Sequence, residues 1–117
     1  MAYVDGYLIA VPAANREAYM ELARKSAPLF KKYGASRVVE NWGDDVPDGK
    51  VTSFAMATKA KPDEVIVFSW VEWPSKEARD DGMKKAMEDP FFAGEGANMP
   101  FDGMRMMFGG FETILDE

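Results

Sequence analysis

The sequence predicts an α+β domain whose elements run β-α-β-β-α-β, with four strands in one antiparallel sheet and two helices on one face. Three observations carry that reading. Val65–Trp73 is an unbroken run of β-branched and aromatic residues, Val-Ile-Val-Phe-Ser-Trp-Val-Glu-Trp. Two stretches of helical spacing, over residues 15–33 and 75–88, each follow a strand pattern. Shorter alternating patterns near both ends of the chain and at 36–42 supply the remaining strands.

Taken in order, Tyr3 to Val11 alternates, with Tyr3, Asp5, Tyr7 and Ile9 on one side and Val4, Leu8 and Ala10 on the other; Pro12 ends it. Asn15 is positioned to cap a helix, and Glu17 complements its positive end. Ala18, Tyr19, Leu22, Ala23, Ser26, Phe30 and Tyr33 fall at helical spacing. Pro28 is expected to kink or restart that helix, and Gly34 to end it. Ser36 to Trp42 is the second strand. Val46-Pro47-Asp48-Gly49 matches a type I turn. A short helical turn is expected over Ser53 to Thr58, before Lys61-Pro62-Asp63 breaks the chain.

On Val65–Trp73, Val65, Val67, Ser69 and Val71 share one side, and Ile66, Phe68, Trp70 and Glu72 the other. Ser75 then caps a helix with an Ala78, Gly82, Met83, Ala86, Met87 stripe, closed by Asp89-Pro90. Phe91 to Gly103 reads as an irregular loop. Met104 to Leu115 is the last strand, expected to bulge at Gly109-Gly110.

This order is the split βαβ, or ferredoxin-like, arrangement. No linker or repeat interrupts it, so residues 1–117 read as one such domain. Two helices cover one face of four strands. Val4, Leu8, Val65, Val67 and Val71 suit packing against helices, which leaves Tyr3, Tyr7, Trp42, Phe68 and Trp70 for the other face. In water that face is a larger apolar patch than monomers usually carry. A second copy packed sheet to sheet covers it and closes a barrel-like homodimer.

Composition excludes much. Twenty acids against 14 bases give a formal charge of −6, which argues against nucleic acid and anionic membrane surfaces as partners. No apolar run reaches the length of a membrane span, and the first residues lack the basic start of a secretory signal. The default location is the cytoplasm. With no His and no Cys, the familiar nucleophile triads, thiolate zinc sites and the usual haem ligand are absent, and no cofactor or metal is expected. Acid–base work falls to Asp, Glu, Tyr, Lys or water.

Three blocks of the chain resemble one family: Trp42-Gly43-Asp44-Asp45-Val46-Pro47-Asp48-Gly49-Lys50-Val51-Thr52, Phe68-Ser69-Trp70-Val71-Glu72-Trp73-Pro74-Ser75-Lys76-Glu77-Ala78-Arg79-Asp80, and Gly109-Gly110-Phe111-Glu112. They are similar to the YbaA-like family of uncharacterised bacterial proteins (DUF1428). The resemblance implies the dimeric α/β-barrel superfamily. That group includes small-molecule monooxygenases, isomerases, haem-degrading enzymes and ligand-sensing domains. It carries over no catalytic residue, and fold analogy does not choose among those functions.

Strand carboxylates are the sharpest chemical signal. Asp5, Glu40 and Glu72 are expected to share the ring-lined inner face with Tyr7, Trp42, Phe68 and Trp70. An acid held against rings has its charged form disfavoured and can serve as a base near neutral pH. In this reading Glu72 or Glu40 is the base and Tyr7 donates a hydrogen bond. Trp42 and Trp70 stack on a small organic ligand, and Asp5, Phe68 and Arg105 complete the pocket. The chemistry expected is cofactor-independent proton transfer or oxygen chemistry. The structural alternative pairs Glu40 and Glu72 with Arg37, Arg105 or a lysine across the dimer, and leaves a non-catalytic module whose inner face serves only dimerisation. Asp44, Asp45 and Asp48 fit an acidic turn better than a calcium loop, because Val46 and Ala55 stand where ligands belong.

Overall fold

A computed structural model describes residues 1–117. The strands are β1 (Tyr3–Pro12), β2 (Arg37–Trp42), β3 (Glu64–Trp73) and β4 (Met107–Glu112). The helices are α1 (Arg16–Lys32), α2 (Phe54–Thr58), α3 (Lys76–Glu88) and α4 (Pro90–Ala93). All neighbouring strands are antiparallel, in the order β2-β3-β1-β4. This is the expected ferredoxin-like α+β fold. No helix is long and apolar enough to cross a membrane.

Local chemistry accounts for most boundaries. Ser53 and Ser75 sit in extended backbone, and their hydroxyls accept from the Met56 and Ala78 N–H groups at 3.0 and 3.1 Å. Gly34 adopts φ +114, the left-handed geometry that lets Gly34 N–H reach the Lys31 carbonyl and Ala35 N–H the Phe30 carbonyl. Asn15 departs from expectation. A 3₁₀ turn over Ala13–Asn15 leads into α1, so Asn15 is already near-helical and its side chain cannot fold back as a cap. Its amide instead donates to the Pro100 carbonyl at 2.9 Å.

Pro28 lies inside α1 without dividing it. One lost backbone bond is tolerated there because Phe30, just beyond, anchors the last turn on the core around Trp73. The type I turn expected at Val46–Gly49 does not form. Gly49 instead approaches the Thr52 backbone so closely that a side chain would collide with it. The stretch after Asp89 is more ordered than a loop. Asp89 caps α4 by accepting from Phe91 N–H, with Pro90 in the first helical position. The last strand starts at Met107, after a 3₁₀ turn over Gly103–Arg105. It pairs without a bulge from Leu8↔Met107 to Tyr3↔Glu112. Gly110 is needed for room, since a side chain there would strike the Arg79 guanidinium and the Tyr3 ring.

The core lies between the sheet and α1 and α3. Ile9, Val11 and Val67 pack with Tyr19 of α1, and Val71 and Trp73 pack with Ala35, Phe30 and Met83. Gly82 of α3 rests so tightly on the Trp73 ring and the Tyr33 carbonyl that only glycine fits.

The register corrects the assignment of faces. Directly opposed residues of antiparallel strands point the same way. Tyr7 is opposed to Ser69, and Ser69 to Glu40. The helix-covered face therefore carries Tyr3, Asp5, Tyr7, Glu40 and Trp42 together with Val65, Val67, Ser69 and Val71. The other face carries Val4, Leu8, Val39, Phe68, Trp70, Glu72, Met107 and Phe111. The alternation expected within each strand holds. The grouping of Val4 and Leu8 with the β3 valines does not, because a shift of one residue exchanges faces and both sides of β1 are apolar. On the second face α2 lies against β1, and Phe54 packs edge-on against Phe68. Ala10 and Ile66, opposed on this side, are buried, while Phe68, Met107 and Phe111 stay exposed.

Candidate functional site

A cavity of about 610 Å³ opens between the helix-covered sheet face and the α1, α3 and α4 layer. Its volume lies within the range of small-molecule sites. Its polar groups form two rows across the strands. The first row is Phe108, Tyr7, Ser69 and Glu40, contributed by β4, β1, β3 and β2. The second, two residues along each strand, places Asp5 between Gly110 and Val71. The strand period of two brings these side chains to one side.

Above the first row, α1 lowers Tyr19 onto Glu40. The Tyr19 hydroxyl donates to Glu40 Oε1 at 2.6 Å. No cation pairs with Glu40. Glu40 is an exposed residue because its carboxyl faces the open cavity, yet the protein atoms crowded around that carboxyl push its pKa up. Hydrogen bonding from Tyr19 and Ser69 opposes that shift without cancelling it. Burial, reinforced by the Asp5 charge, raises the Tyr7 phenol to about 12, so Tyr7 is a neutral donor at physiological pH. Burial and Glu40 push the Tyr19 phenol upward as well.

The second row is held by α3. Arg79 Nε lies 3.4 Å from Asp5 Oδ1, and Arg79 Nη2 donates to the Tyr3 hydroxyl at 2.8 Å. The guanidinium also sits 4.7 Å above the Tyr3 ring centroid. Trp73 Nε1 donates to Asp5 Oδ2 at 3.0 Å. Burial raises the Asp5 pKa, and Arg79 and Trp73 partly restore it. Arg79 Nε is buried and has no hydrogen-bond partner, so its attraction to Asp5 is electrostatic rather than directional.

Residues 2–103 match the family described as "Protein of unknown function (DUF1428)". The chain belongs to the DUF1428 family. It is 59% identical to "Uncharacterized protein YbaA" of Escherichia coli (strain K12) over 117 residues, which span all of both chains. Among solved structures it is similar to a dimeric ferredoxin-like protein from an uncultured marine organism, with a TM-score of 0.66 and 11% identity over 99% of this chain and 98% of that one. It is also similar to SnoaB, a cofactor-independent oxygenase from Streptomyces nogalater. That likeness has a TM-score of 0.60 and 14% identity, covering 98% and 95% of the two chains. At such identities the two structures support the fold alone.

Within this family member, Tyr7, Glu40 and Asp5 do gather in one cavity, but it lies on the helix side of the sheet. Trp42 shares that face and packs in the core beside it, beneath the Arg16 guanidinium at 5.4 Å. Glu72 is on the opposite face, where it accepts from Trp70 Nε1 at 2.8 Å and lies 3.6 Å from Arg37. That is the ion-pair reading of Glu72, within one chain. Phe68 packs edge-on against the Trp70 ring and does not border the cavity. Tyr19 and Arg79 were not singled out by sequence reasoning. Tyr19 looks like one more apolar-stripe residue, and only its height above Glu40 gives its hydroxyl a purpose.

Arg105 also lies elsewhere. It forks onto Glu64, with both contacts at 2.7 Å, and reaches Asp102 at 2.9 Å. Arg105 holds the Glu64 carboxyl down at about 2. A lowered acid binds fewer protons folded than unfolded, so its stabilisation is full above its ordinary 4.5 and fades as pH falls toward 2. Glu64→Gln should therefore melt lower than the unaltered chain at neutral pH, with the gap closing on acidification through that window. Thermal melts of both proteins across the window check this. A gap that widens with acid would contradict it.

Proposed function

We propose that this protein binds a small organic molecule between α1 and the sheet and transfers a proton there without a cofactor, with Glu40 as the base. The observation that carries the reading is Glu40 itself. It is a carboxylate facing an apolar cavity, raised in pKa by its surroundings, steadied on one oxygen by Tyr19 and matched with no cation. A carboxyl whose pKa is raised in this way is a stronger base than an exposed carboxylate of ordinary pKa. Tyr7, neutral and without a protein partner for its hydroxyl, is placed to donate to substrate. Proton removal leaves an electron-rich anion, and molecular oxygen is one acceptor for it. The likeness to a cofactor-independent oxygenase supports that branch as a fold analogy.

The same proposal gives the uncovered sheet face to a second copy of the chain. Phe68, Met107 and Phe111 stand exposed there beside Trp70 and Val39, and one structural neighbour is a dimeric ferredoxin-like protein. Dimerisation and ligand binding then use opposite faces of one sheet and do not compete.

A thermal-shift screen of small ring compounds tests the binding step. Hits should raise the melting temperature of the unaltered chain. They should have no effect on Ala27→Phe, which places a ring from α1 into the cavity. Equal shifts in both proteins would place binding elsewhere.

A further inference from the structure

We propose that the cavity selects a neutral, flat ring compound bearing a weakly acidic hydroxyl, a phenol or enol, and discriminates against carboxylates and cationic amines. The inference deepens the binding reading above and rests on it. It follows from the charges and hydrogen-bonding capacities that face the cavity. Asp5 is balanced by Arg79, and Glu40 is balanced by nothing, so the interior carries one net negative charge when both acids are ionised. A ligand carboxylate or phosphate would enter an apolar space against that charge, and the one cation lining it, Arg79, is already committed to Asp5, Tyr3 and Asp80.

An ionised Glu40 only accepts hydrogen bonds, so the group it recognises must donate. Tyr19 takes one lone pair of Oε1 and Ser69 lies beside the carboxylate, which still leaves acceptor sites for the ligand. Across Ser69 in the same row, the Tyr7 hydroxyl can donate. A hydroxyl satisfies both, giving its proton toward Glu40 while its oxygen accepts from Tyr7. An ammonium donates to Glu40 but offers Tyr7 no lone pair, and it must shed its hydration among rings. The walls favour flat molecules. Phe30 and Phe92 tilt together at 5.5 Å, Tyr19 and Phe101 at 5.9 Å, and Phe108 stacks on Tyr7 at 6.4 Å. These rings offer faces and edges for offset aromatic contact.

Isothermal titration with four probes on one ring tests this: naphthol, methoxynaphthalene, naphthoate and aminomethylnaphthalene at neutral pH. Naphthol should bind about tenfold or more tighter than methoxynaphthalene, the margin a hydrogen bond to a charged group supplies. Naphthoate and the amine should bind more weakly than naphthol. In Glu40→Gln the preference for naphthol over its methyl ether should shrink, with folding confirmed by circular dichroism. The four-probe comparison on the unaltered protein stands even if that variant fails to fold. Equal binding of naphthol and its ether, or tighter binding of naphthoate or the amine, would overturn the proposed class and leave the binding reading intact. Failure of all four probes to bind would overturn the binding reading as well.

Discussion

Glu40→Gln is expected to leave the fold at least as stable as the unaltered chain at pH 7, and to slow any proton transfer by about 10²–10⁴-fold. The two expectations share one cause. Crowding disfavours the charged form of Glu40, so its folded pKa lies above its ordinary value. Between those two values the folded chain holds more protons than the unfolded chain, and stability falls as pH rises through the window. Glutamine removes the charge and with it that penalty. Its amide oxygen still accepts from Tyr19, so the α1–β2 contact survives. Proton transfer should slow by that margin because an amide takes no proton. Denaturant titrations at pH 5 and pH 7 check the stability arm. A large loss of stability would make Glu40 a structural partner instead of a base.

The second large effect concerns the uncovered face. Phe68→Asp is expected to convert the proposed homodimer to monomer. Phe68 lies on the central strand β3, in edge contact with both Trp70 and Phe54, and nearly half of it is exposed at 48%. An aromatic anchor at the centre of an interface is typically worth about 2 kcal/mol or more. Two-fold symmetry applies each change twice. The sum, about 4 kcal/mol, is about a thousandfold in dissociation constant, and a buried unpaired aspartate adds to it. Light scattering at micromolar concentration should give twice the chain mass for the unaltered protein and a single chain mass for the variant. An unchanged dimer would show that the two copies meet on another surface.

The chain advertises its strands and their internal alternation because that period is local. Asp5 and Glu40 are legible for the same reason: each is a carboxylate flanked two residues away on either side by aromatic or aliphatic side chains, Tyr3 and Tyr7 or Val38 and Trp42. The pairing between strands is not local. Tyr3, Tyr7 and Ile9 make one side of β1 as apolar as Val4, Leu8 and Ala10 make the other, so nothing in the sequence prefers Tyr7 opposite Ser69 to Leu8 opposite Ser69. That single ambiguity grouped Glu72 and Phe68 with Asp5, Tyr7 and Glu40, from which the register separates them, while Trp70 borders the cavity from the other face of β3. Tyr19 was hidden by helix–sheet packing, which no spacing encodes. Asp89-Pro90 signals both a helix stop and a helix start, and reading only the stop hid α4, whose Phe92 walls the cavity.

Ligands should enter on the helix side of the sheet and meet Glu40. A crystal structure of the protein soaked with naphthol tests it most directly. Ordered density is expected between α1 and the sheet, with the ligand oxygen within hydrogen-bond reach of Glu40 and Tyr7. Density on the Phe68 face, or a cavity filled by its own side chains with no ligand inside, would contradict it.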